Sequence, residues 1–61
     1  MKLADLERHL REHGCAPYRQ GGSHAIWWKP STRKLTSVPR HREVKETTAR
    51  AICKQLEVPL P

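Results

Sequence analysis

The 61-residue chain predicts an α+β fold of order α-β-β-β-α, a three-stranded antiparallel sheet with two helices on one face. Three observations carry that expectation. Apolar residues recur at helical spacing near both ends of the chain. Between them, Ile26-Trp27-Trp28 and its neighbours have strong β preference and are bounded by tight-turn signals. The chain is also near the lower size limit for one stable core, so a single domain over residues 1–61 is expected.

The elements follow in order. Leu3, Leu6 and Leu10 share one helical face with Ala4 beside them, and Gly14 stands where a left-handed C-terminal cap is wanted. Cys15 to Gln20 reads as a short strand, and Pro17 confines it to a sheet edge because proline cannot donate to a ladder. Gly21-Gly22 closes a hairpin into a strand from Ser23 to Lys29. Pro30-Ser31-Thr32-Arg33 is a turn cluster, and Lys34 to Val38 is a third strand ended by Pro39. After a loop over Arg40 to Glu46, Thr47 or Thr48 caps a helix whose inner face is Ala49, Ile52, Cys53 and Leu56, with Pro59 and Pro61 stopping it. Connections this short make the sheet an antiparallel meander, and two helices can cover only one face of it. Alternation in the second strand sets His24, Ile26 and Trp28 against Ser23, Ala25 and Trp27, and either side can be the core.

Composition limits the function. So small a domain has no room for a deep cavity, so any chemistry takes place on an open surface, which suits a polymeric substrate. Cys15 and Cys53 are too few and too far apart for a disulfide framework and read as small buried hydrophobes of a reduced protein. No apolar run approaches the ~20 residues of a membrane span, and charge alternates where a signal peptide would be apolar; the cytoplasm is the expected location. The net charge of +6 is concentrated. Lys29, Arg33, Lys34, Arg40, Arg42 and Lys45 face only Glu43 in their segment, a surplus of five. Such a patch is the footprint of phosphate-backbone binding, with a solvated loop or an acidic protein partner as the competing explanations.

His24 is the candidate catalytic group. It opens an apolar strand just past a glycine pair, at a sheet rim where Gly22 and Ser23 can orient it while solvent still reaches it. Imidazole titrates near neutrality, so one well-held ring can take and return protons at cellular pH. Beside a basic segment it points to proton transfer on a polyanion, RNA above all: removal of a ribose 2′-hydroxyl proton, attack on the adjacent phosphorus, and stabilisation of the developing charge by lysine or arginine. That reaction needs no metal, and the carboxylates Asp5, Glu7 and Glu12 form no magnesium cluster. A second acid is less plain. His41 is the best candidate, with a capping or phosphate-contacting role as its alternative. His9, His13 and Cys15 together lack a fourth zinc ligand, and both histidines are expected to face solvent.

Three blocks, Gly22-Ser23-His24, then Val38-Pro39-Arg40-His41-Arg42-Glu43, then Thr48 to Leu56, occur in an order and spacing that resemble the HicA family of toxins from bacterial and archaeal toxin–antitoxin pairs. The resemblance runs from the first helix to about Val58. It implies a fold similar to the double-stranded RNA-binding domain, an mRNA-cleaving ribonuclease with its catalytic histidine at His24, and a HicB-type antitoxin that holds it inactive. The alternative from the residues alone is a non-catalytic RNA-binding module of similar fold, in which His24 is a turn residue and the basic segment carries the function.

Overall fold

A computed structural model describes residues 1–61. The order is α1 (Leu3–Glu12), β1 (Ala16–Gly21), β2 (His24–Lys29), β3 (Lys34–Pro39) and α2 (Glu46–Gln55), as expected from the sequence. The sheet is antiparallel in the order β1-β2-β3, so β2 is central and each strand pairs with its neighbour in the chain. The hairpin is shifted by one residue from the sequence reading. Gly21 ends β1 opposite His24, and Gly22-Ser23 makes the turn, with Gly22 at φ +30°.

Packing decides between the two faces of β2. Ala25 and Trp27 are buried with Val38 of β3, while Ile26 and Trp28 are only half-buried and His24 is exposed. The helices close over the Trp27 side through Leu6 and Leu10 of α1 and Ala49, Ile52 and Cys53 of α2, with Leu56 and Val58 just beyond. Arg11 of α1 lies over the Trp27 ring with its guanidinium carbon 5.1 Å from the centroid. Thr36, the one buried polar residue, donates its hydroxyl to the Gln55 side-chain oxygen, so the helix-facing side leaves no polar group unpaired.

Cys15 and Cys53 are free and buried in this core. Burial pushes both thiols up; Lys29 partly opposes this at Cys15, and the neighbouring Cys15 adds to it at Cys53. Both stay protonated at neutral pH and serve as small apolar groups.

Both helices end in the same motif. At α1 the Cys15 amide donates to Leu10 at 2.9 Å and the Gly14 amide to Arg11 at 3.2 Å, with Gly14 at φ +84°. At α2 the Val58 amide donates to Cys53 at 3.0 Å and the Glu57 amide to Lys54 at 3.1 Å, with Glu57 at φ +58°. These are Schellman caps, and the second stops α2 ahead of Pro59, so the prolines are not what ends it. Its start also differs from the sequence reading. Lys45 is the N-cap without a side-chain bond, and Thr47 and Thr48 lie in the first turn behind Glu46, whose carboxylate suits the helix dipole.

A side chain bearing a Cβ in the left-handed region costs about 1–2 kcal/mol relative to a relaxed backbone. Glu57→Gly removes that cost, and also an anion from a helix C-terminus, against some loss of chain entropy in the unfolded state. The substitution is expected to raise stability by about 1 kcal/mol, or Tm by roughly 5 °C. A thermal melt at or below the parent's would contradict this account of the cap.

Candidate active site on the open sheet face

The site begins at the β1–β2 turn. Gly22 takes the positive φ that the tight turn needs, and the turn delivers His24 to the first position of β2, opposite both Gly21 and Pro39. Alternation then points the imidazole away from the helices, on the same face as Ile26 and Trp28. Ser23 Oγ lies 3.2 Å from His24 Nδ1, a contact that can fix the ring and its tautomer. Nε2 has no partner within the protein, and the residue is exposed.

Arg40 is brought to the same place. Its amide donates to the Ser23 carbonyl at 3.1 Å and its Nη1 to the Gly22 carbonyl at 3.5 Å, so the guanidinium spans the turn that presents His24. The following loop is drawn the other way. The Leu3 amide donates to the Arg42 carbonyl at 2.9 Å and the Val44 amide to the Met1 carbonyl at 2.7 Å, which ties Arg42 and Val44 to the start of α1 and leaves Lys45 as the N-cap of α2. His41 sits exposed between these two anchors, two residues past Pro39, the cross-strand partner of His24.

The remaining basic residues lie elsewhere. Lys29 pairs with Lys34 at the opposite end of the strands, five residues or about 17 Å from His24, and Arg33 occupies the connecting turn at φ +60°. Lys29 is half-buried and donates its ammonium to the Glu57 carbonyl at 3.2 Å, at the C-terminus of α2. The basic segment that is continuous in sequence therefore divides in space into Arg40 beside His24, Arg42 and Lys45 near the N-termini of the two helices, and a distal group at Lys29, Arg33 and Lys34.

His24 opens onto a shallow groove along the helix-free face, whose lining includes Tyr18, Arg19, Gly21, Ile26 and Leu35. Tyr18 and Arg19 were not singled out from the sequence. Their signal was Pro17: a proline inside an edge strand marks the kind of place where a ladder breaks, and the register does shift between Pro17 and Arg19. On the far side of the molecule, His9, like the C-cap residue His13, is half-buried and not solvent-facing as expected. Its Nε2 lies 2.7 Å from the Pro59 carbonyl and its ring is 4.5 Å from that of His13, an arrangement that fastens the C-terminal tail to α1. Cys15 is buried in the core, and no group of three or more histidine, cysteine or carboxylate side chains is placed to hold a metal ion.

The arrangement defines a small α+β domain with two helices on one side of its sheet and, on the other, a free imidazole at a cationic rim. The family described as HicA toxin of bacterial toxin–antitoxin matches residues 3–58, from the first residue of α1 to the last core residue. The chain belongs to the HicA toxin family, and it is the toxin half of a pair whose other half is an antitoxin. Neither the curated proteins nor the solved structures gave a match to the chain. No helix is long and apolar enough to cross a membrane.

Proposed function

We propose that the chain is a single-domain, cytoplasmic endoribonuclease that cleaves mRNA through His24 and is silenced by a HicB-type antitoxin covering that residue. The observation that carries this reading is the His24 ring, bonded at Nδ1 to Ser23, open at Nε2 and flanked by the anchored Arg40 guanidinium. With Nδ1–H donating to Ser23 Oγ, Nε2 is the basic nitrogen. It removes the 2′-hydroxyl proton of a ribose, the 2′-oxygen attacks the adjacent phosphorus, and the P–O5′ bond breaks. Arg40 offsets the charge that builds on the phosphoryl oxygens. The 5′-oxygen leaves with a proton from solvent or from the exposed His41. Of the other basic residues, Arg33 and Lys34 at the far end of the strands and Arg42 and Lys45 near the helix N-termini offer separate cationic contacts for the rest of the strand, while the Lys29 ammonium is engaged by the Glu57 carbonyl.

Because the nucleophile is part of the substrate, cleavage is expected to proceed in excess EDTA and to leave 2′,3′-cyclic phosphate and 5′-hydroxyl ends. Mass spectrometry of the fragments checks both. Fragments ending in a 3′-hydroxyl would require a different nucleophile and overturn the reading, and intact RNA would return the chain to the non-catalytic binding module.

Control by a partner follows from the open site. There is no lid, so His24 is silenced by occlusion, and a cationic rim favours a partner more acidic than this chain. An interface of standard size, ~800 Å² per partner, would cover roughly a fifth of the 4207 Å² surface. In the complex, His24 and Arg40 are expected to lose solvent exposure. A crystal structure of the pair with the imidazole open would show that inhibition works by another route.

A further inference from the structure

The β-bulge in β1 changes which side chains reach the helix-free face. Regular alternation would send Tyr18 and Arg19 to opposite sides of the sheet. At the bulge the ladder passes from Pro17 opposite Trp27 to Arg19 opposite Ile26, which leaves Tyr18 unpaired and lets both side chains lie away from the helices. Two contacts place them there. The Tyr18 ring packs on Trp28 with centroids 4.9 Å apart at 56°, and Arg19 lines the groove together with His24.

The resulting face has a definite polarity. At one end is an aromatic pair whose tilt leaves ring surface open, Tyr18 being 51% exposed. At the other end are His24 and the Arg40 guanidinium, with Arg19 between, and no acidic residue lines the groove. Flat apolar surface next to cations, without carboxylates, matches a ligand that alternates flat bases with phosphates. An unpaired base is required, because a base within a duplex has no free face.

We propose that Tyr18 and Trp28 form a stacking platform for a nucleobase flanking the scissile phosphate of single-stranded RNA, and that Arg19 holds a phosphate between that base and His24. The proposal rests on His24 as the RNA-cleaving group and adds the substrate's strandedness and the residues that grip it.

Binding is measured with the full chain carrying His24→Ala, so that RNA stays intact, and a labelled single-stranded RNA on the order of eight nucleotides. Tyr18→Ala is expected to weaken binding about tenfold at every salt concentration, since stacking involves no counterion release, while Tyr18→Phe stays within about twofold. Arg19→Gln is expected to lower the slope of log affinity against log salt by about one. Circular dichroism melts matching the parent's exclude misfolding of the variants. Undiminished affinity of Tyr18→Ala overturns the platform. If that variant instead loses affinity only for the antitoxin, the face belongs to the protein partner and the proposal is equally overturned. Cleavage of the same RNA by the parent, read in parallel, separates the two ideas. Cleavage with unaltered Tyr18→Ala binding removes the platform alone, whereas stacking without cleavage removes the nuclease reading alone. Absence of RNA binding by the His24→Ala chain, together with no cleavage by the parent, removes both.

Discussion

Replacing His24 by alanine is expected to lower RNA cleavage about 100-fold or more while leaving the fold and most of the RNA affinity in place. The imidazole is exposed and its one hydrogen bond is with the exposed Ser23, so its removal creates no cavity and leaves no buried group unpaired. Surface substitutions of that kind alter stability by about 0.5 kcal/mol or less. Expression of the parent chain alone is therefore expected to arrest growth and deplete mRNA, and expression of His24→Ala at the same level is expected to do neither. Equal toxicity of the two would end the assignment of His24 as the base.

The second large effect concerns stability. Trp27→Ala is expected to unfold most of the chain at 37 °C, and Trp28→Ala is not. Trp27 is 2% exposed, packed between both helices and the sheet, with Arg11 over its ring. Truncating a buried tryptophan costs about 3–5 kcal/mol, and a domain of this size has only about 3–9 kcal/mol to lose. Trp28 is half-buried on the opposite face and packs mainly against Tyr18. Thermal melts distinguish the two variants, and a Trp27→Ala melt within a few degrees of the parent's would show that the core closes around other residues.

Those adjacent tryptophans mark the boundary of what the sequence conveys. The leucine spacing of α1, its glycine cap, the turn residues and the inner face of α2 were all legible, because each is a local pattern with a local cause. The orientation of β2 was not, because Ile26-Trp27-Trp28 is apolar on both sides and alternation alone does not say which face the helices cover. Packing settles it: Ala25 and its partner Val38 are buried with Trp27 on the side the helices cover. The left-handed Glu57 was equally hidden, since nothing in a glutamate announces positive φ. At the site, His24 could be placed beside a hairpin turn whose position the sequence locates to within one residue, and the basic segment was visible as a whole. Its division was not legible, because charge adjacent along the chain separates wherever a strand carries its two ends apart. The bulge that brings Tyr18 and Arg19 to one face depends on a register shift, which Pro17 locates in the strand without giving its size or direction.

The contribution of the last helix to the core has a consequence for how the protein comes into being. Ala49, Ile52 and Cys53 of α2, with Leu56 and Val58 just after it, supply five of the twelve core residues, so until they have been synthesised the sheet that carries His24 has only α1 to pack against. A nascent chain that has emerged only through β3 has just Leu6, Leu10 and Cys15 to cover Ala25, Trp27 and Val38, an incomplete core for so small a sheet. The hairpin that orients the imidazole is therefore assembled late, in one step with α2. A polypeptide that has emerged only as far as β3 does not yet present the ordered hairpin, and whatever binds that face meets it only after α2 and Val58 have joined the core.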